Sequence, residues 1–298
     1  MRPYSRVYAT VNLDAVASNM KSMRENLPAS TLIMGSVKAD GYGHGSVPIA
    51  KTIEPYVFGY AVATIDEGII LRRHGINKTI LILGVTHESQ YEELLRYDIR
   101  TAMFQYEKAK KLSDLAVKHG KKAVVHLALD TGMSRIGMKA DREHAKEAAS
   151  IAALEGIEVE GLFTHFARAD EYDRSPAMVQ LKRYLDFSRR VEEAGVEIPL
   201  HHCSNSAGII RMPEANLNIV RAGITIYGIY PSSEVERDIV KLEPVMELKS
   251  HVTYVKDVPA GAAISYGGTY VADRKLRVAT VPVGYADGYS RRLSNKGW

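Results

Sequence analysis

Eight β-forming runs, each followed by a stretch of helical spacing, fill residues 31–225. The runs are 31–37, 56–63, 79–84, 99–103, 122–129, 157–164, 200–203 and 217–220. Between them apolar residues recur at helical intervals, as in Met178, Leu181, Leu185 and Val191. Thr64 with Glu67 three residues on reads as a capping box opening one such helix. Parallel strands need long crossover connections, usually helical. The pattern therefore predicts an α/β fold of the (β/α)8, TIM-barrel type, with a doubly wound open sheet as the alternative. The strand-like stretch 6–12 would make a ninth strand and is set outside the barrel, against a second domain. Its following helix carries Val16, Met20, Met23 and Leu27 on one face, a core stripe.

After Pro231 the helical spacing stops. Stretches 247–255, 263–266 and 276–281 are strand-like, with turns at Pro259-Ala260-Gly261 and Gly267-Gly268. The expected division is a barrel over 1–235 and part of a β-rich domain over 236–298. Few strands leave a poorly covered sheet edge, so the chain reads as truncated at its C-terminal end. The net charge of +4 comes without a block of like charges, which argues against nucleic acid and anionic membranes as partners. No apolar stretch approaches the roughly 20 residues that cross a bilayer. A single cysteine, Cys203, excludes an internal disulfide framework and suits a reducing cytoplasm.

Barrel enzymes keep their reacting groups at the C-terminal ends of strands. Here the first run ends in Lys38 and a glycine-rich stretch, Gly41-Tyr42-Gly43-His44-Gly45. The fifth leads to Asp130-Thr131-Gly132-Met133-Ser134-Arg135, and the sixth to His165. The seventh leads to Asn205-Ser206, and the eighth to Arg221-Ala222-Gly223-Ile224. An ammonium at a low-dielectric barrel mouth is poorly solvated, which favours the neutral amine that attacks a carbonyl. Gly223 and Ile224 lie where barrels bind phosphate through backbone N–H groups, with Ser206 and Tyr42 as hydroxyl donors. The histidines show no metal-ligand spacing: His201 and His202 face opposite sides of a strand, and nothing marks His126 as a ligand.

At these residues the chain resembles the bacterial alanine racemases, pyridoxal phosphate (PLP) enzymes of fold type III. The resemblance rests on the motifs 37–45, 130–137, 164–167, 205–206 and 221–224, and on Ser265-Tyr266-Gly267 and Gly284-Tyr285-Ala286-Asp287-Gly288, which follow in family order. It implies that Lys38 carries PLP covalently and serves as one catalytic base. Tyr266, supplied by the partner subunit of a homodimer, is the other. Arg221 meets the pyridine nitrogen, with His165 beside it. Arg135 binds the cofactor's phenolic oxygen and orients the substrate carboxylate. Tyr42, Asn205, Ser206, Gly223 and Ile224 belong to the cofactor site, and Tyr285 narrows the substrate entrance. The implied reaction interconverts L- and D-alanine for peptidoglycan, in the cytoplasm. One departure concerns Ala128, which stands where the family often has a carbamylated lysine bracing the arginine. The family also continues beyond Trp298. The other readings are a serine or broad-specificity racemase and a non-catalytic PLP-binding barrel. A PLP decarboxylase fits less well, because Arg221 stands where those of this fold prefer a carboxylate.

Overall fold

The central strands are apolar on successive residues, not on alternate ones. Residues 59–62 and 80–82 are all buried, the pattern of strands covered on both faces. The computed structural model describes residues 6–296. Strand β1 (Val7–Val11) precedes the helix Leu13–Glu25, which Asn12 opens by accepting from the N–H groups of Asp14 and Ala15. The parallel strands are β2 (Leu32–Ser36), β3 (Gly59–Val62), β4 (Thr79–Ile82), β5 (Arg100–Met103) and β6 (Ala123–Asp130). A two-residue strand, β7 (Met138–Lys139), pairs only with β6. Then come β8 (Ile157–Phe163), β9 (Leu200–His202) and β10 (Ile219–Ala222).

The strand order is β10-β2-β3-β4-β5-β6-β8-β9, all parallel. Between β9 and β10 the ring is drawn together by one backbone bond, Arg221 N–H to Ser204 O at 3.0 Å. The Asn218 side chain adds to it, accepting from His201 N and donating to Pro199 O. This is the expected nearly closed barrel and not an open sheet. Met34, Ala61, Leu81 and Ile219 form one cluster of its buried residues, and Ala102, Ala128 and Phe163 another.

The barrel belongs to a compact unit, Asn12–Val245. Its last residues stay with it because Asn19 pairs with both the N–H and the C=O of Glu243, at 2.7 and 2.9 Å. In the other unit, β1 pairs antiparallel with β11 (Met246–Ser250), β12 (Tyr254–Val258) with β15 (Leu276–Thr280), and β13 (Ala263–Ile264) with β14 (Tyr270–Val271). The run expected over 247–255 is thus two strands, because its halves pair with different partners. Among the described residues no helix is long and apolar enough to cross a membrane.

Three local expectations shift. The run 56–63 starts late, since Pro55 sits in a 3-10 turn, Glu54–Tyr56. The last barrel strand ends at Ala222, so Arg221 lies within it. The capping box is half present. Thr64 Oγ1 accepts from Glu67 N, but the Glu67 carboxylate reaches Ala63 N and Ala39 N, at 2.7 and 2.8 Å.

Candidate functional site

Directly after β2 the chain makes a left-handed helical turn, Lys38–Tyr42. Ala39, Asp40, Gly41 and Tyr42 all have φ between 50° and 61°. For residues other than glycine this conformation costs about 1–2 kcal/mol each. Several bonds hold it. Gly41 N–H donates to Val37 O at 2.8 Å, the Asp40 carboxylate accepts from Ser46 N at 2.7 Å, and Glu67 holds Ala39 N–H. Strain of this kind persists where surrounding contacts over-determine it, commonly at functional sites. Here it directs Lys38 into the barrel mouth while Tyr42 stands nearby, its ring 5.9 Å from Lys38 Nζ.

Two cavities of about 180 and 290 Å³ open at this end and share Lys38, Leu83, Met133, His165 and Arg221 as walls. Tyr42, Asn205, Ser206, Gly223 and Ile224 line the larger one; Arg135 and Ala128 line the smaller. Ser206 Oγ accepts from Gly223 N at 2.9 Å. A Cβ on Gly223 would stand 3.4 Å from Ser206 Oγ and 3.7 Å from Tyr42 Oη. Two hydroxyls and a bare backbone thus face one small space. Asn205 is held as the cap of helix Ser206–Arg211, its side chain accepting from Gly208 N.

Arg221, buried within β10, shares the larger cavity with the cradle. Its Nη1 donates to His202 Nδ1 and His202 O, and its Nη2 to Thr164 O and Cys203 O. Four of its five N–H groups are thereby committed. Among the described residues Nε–H has no acceptor, and the side chain forms part of both cavity walls. Burial pushes its pKa down to about 10, so it remains a cation at neutral pH. His165, half-buried just beyond β8, is pushed down to about 3 by burial first and then by Arg221, Arg135 and Lys38. It is neutral in use.

Arg135 is placed by its loop. The Asp130 carboxylate accepts from Gly132 N and Ser134 N, at 2.9 and 3.0 Å. Gly137, at φ 118°, lets the chain return so closely over β6 that a Cβ would lie 2.6 Å from Asp130 N. With Ala128 in the wall, no side chain among the described residues accepts from the Arg135 guanidinium. Tyr266 and Tyr285 belong to the other unit. These residues are 90% and 69% exposed, and Tyr266 begins a turn in which Gly267 and Gly268 have positive φ.

Sequence reasoning missed Glu67, whose helix-cap signature hid its hold on the turn after Lys38. It also passed over His126, which is fully buried and bonded to His202 and Glu160. A glutamate beside a glycine inside a β run was the available signal for that network.

A cavity lined by an amine, a guanidinium and the hydroxyls beside Gly223 is the equipment of a barrel enzyme acting on small anionic molecules. Comparison with known proteins makes the class specific. The family "alanine racemase, N-terminal domain" matches residues 11–231, and "alanine racemase, C-terminal domain" matches 245–298. An alanine racemase of Desulforamulus reducens is 44% identical over 98% of this chain and 79% of its own length. One from Clostridium perfringens is 45% identical over 97% of this chain and 75% of its own. Among solved structures, the alanine racemase of Clostridium difficile 630 superposes with a TM-score of 0.92 at 42% identity, covering 97% of this chain and 76% of that one. The chain belongs to the alanine racemase family, isomerases that act on amino acids.

Proposed function

We propose that the chain racemises alanine with PLP anchored on Lys38, as a cytoplasmic homodimer that supplies D-alanine for peptidoglycan. The observation that carries this reading is the lining of the larger cavity, where Lys38 shares the walls with the hydroxyl-lined cradle and Arg221 and also lines the smaller cavity. The residues fit the cofactor. The space left by the missing Cβ of Gly223, beside Ser206 Oγ and Tyr42 Oη, suits a phosphate, with Ile224 and Asn205 in the same wall. The uncommitted Nε–H of Arg221 suits a ring nitrogen. When bound, the cofactor supplies an electron sink that acidifies the substrate Cα–H.

The protein's own groups then move the proton. Lys38 takes or returns it on one face of the substrate carbon, and Tyr266 of the partner subunit does so on the other. The exposure of Tyr266 supports that assignment. Arg221, a donor only, leaves the ring nitrogen unprotonated. Arg135 orients the substrate carboxylate and meets the cofactor's phenolic oxygen, while Tyr285 narrows the approach. His165, neutral and beside Arg221, completes the polar wall.

An absorbance spectrum with added PLP tests the anchor. The wild type should give an imine band that Lys38→Ala lacks, with racemisation down by about 1000-fold. Chiral chromatography with L-alanine and L-serine then separates alanine from serine preference. A band that survives in Lys38→Ala would falsify the anchor.

A further inference from the structure

Beneath Arg221 the barrel interior holds a line of polar side chains for which the proposed chemistry has no part. Glu160 Oε2 lies 2.9 Å from His126 Nε2, and His126 Nδ1 lies 2.8 Å from His202 Nε2. His202 Nδ1 is 2.9 Å from Arg221 Nη1. Both imidazoles are fully buried. Arg100, at the start of β5, approaches the same Glu160 oxygen at 3.4 Å.

The donor and acceptor inventory fixes every proton along this line. A guanidinium only donates and an ionised carboxylate only accepts. His202 Nδ1 must therefore be bare, its hydrogen on Nε2 and pointing at a bare His126 Nδ1. The His126 hydrogen is then on Nε2, facing Glu160. Any other order sets two N–H groups head to head, or leaves a buried group unpaired at about 1–3 kcal/mol. Burial pushes both imidazoles below their ordinary range, and Arg221 presses His202 further down. Burial works to raise the Glu160 carboxyl, but the bond from His126 and the charge of Arg100 outweigh it and keep it ionised.

The backbone is shaped around the line. Between β6 and β8, Val125 pairs with Val159 but His126 pairs with Gly161, so Glu160 is the extra residue of a bulge. Bulges re-aim side chains in this way. A Cβ on Gly161 would stand 2.3 Å from His126 Nδ1, so this strand position has to be glycine for the ring to fit.

We infer that Glu160 and His126 are positioning residues that hold Arg221 through His202, with Glu160 as the terminal acceptor of a single proton order. Acting together they keep His202 Nδ1 an acceptor for one Nη1–H, beside the three main-chain carbonyls that take the other Nη hydrogens. The inference rests on the racemase reading for its kinetic arm only.

Nitrogen-15 NMR of the histidine-labelled, PLP-loaded enzyme reads the order directly. His126 and His202 should both carry their hydrogen on Nε2. In Glu160→Leu the His126 Nε2–H loses its acceptor, so its proton and nitrogen resonances should leave their hydrogen-bonded positions, and kcat for alanine should fall about tenfold with little change in KM. Glu160→Gln, whose carbonyl still accepts, should restore those resonances and at least half of kcat. A wild-type His202 that is an imidazolium, or that carries its hydrogen on Nδ1, overturns the inference whatever reaction the protein catalyses and whether or not the leucine variant folds. So does a folded Glu160→Leu with unchanged His126 resonances and kcat. Loss of racemisation in a wild type that shows both Nε2–H forms counts against the racemase reading and not against the proton order.

Discussion

The two ends of the proposed cofactor site are built differently. At the cradle end, beside Tyr42, Ser206 and Gly223, main-chain conformation does the placing: a left-handed turn brings Tyr42 round, and a glycine leaves room. At the Arg221 end, placing is done by buried side-chain bonds that run through His202 and His126 to Glu160. A backbone-built region can lose binding without losing the fold, because its groups face a cavity. A region built from buried donors and acceptors cannot, because each broken bond strands a partner away from water.

Arg221→Met is the strongest test of that contrast. It leaves His202 Nδ1 and the carbonyls of His202, Thr164 and Cys203 without this donor. Stability in urea unfolding should fall by about 3 kcal/mol, and alanine racemisation by at least about 100-fold. A variant as stable as the wild type would erase the distinction between the two ends. Gly223→Ala probes the other end. Gly223 has a negative φ of −123°, and its new methyl would meet only ordinary contacts. Stability should fall by no more than about 1 kcal/mol, well short of the Arg221→Met loss. PLP affinity, from absorbance titration, should fall about tenfold, roughly 1.4 kcal/mol. A large loss of stability would mean that the cradle, too, is structural.

The same contrast explains what could be read from the chain in advance. The eight runs, the lysine at a strand end and the glycines near Ser206 are local patterns, so barrel and cradle were legible. The left-handed turn was not, because Ala39, Asp40 and Tyr42 are ordinary residues whose φ is set by contacts with Glu67 and Ser46 far along the chain or after the turn. The Arg221 end was half legible. Its arginine was visible, but its last strand had been ended too early, which placed Arg221 in a loop. His126 passed as a neutral strand residue because its partners lie 34 and 76 positions away. The split of 247–255 had the same cause, since strand pairing with β1 and β15 is a long-range property.

His165 offers the smallest effect and the finest test. It stands beside Arg221, 3.4 Å from Nη2, and faces Lys38 and Arg135 as well, so its protonation reports on both ends. Its folded value is about 3 against an ordinary 6.5. As the pH falls through 6.5 the unfolded chain takes up a proton there that the folded chain refuses until about 3. The unfolded state binds more protons in that window, so the contribution of His165 to stability is present above pH 6.5 and is lost as the pH drops towards 3. Urea unfolding at pH 7.5 and pH 5 should therefore show wild type losing more stability than His165→Asn over the same interval. If both lose the same amount, His165 is already solvated and the cations of the mouth do not press on it. A larger loss in the wild type that disappears in Arg221→Met would trace the pressure to the side-chain-built end, where burial is deepest, while one that persists would assign it to burial with Lys38 and Arg135.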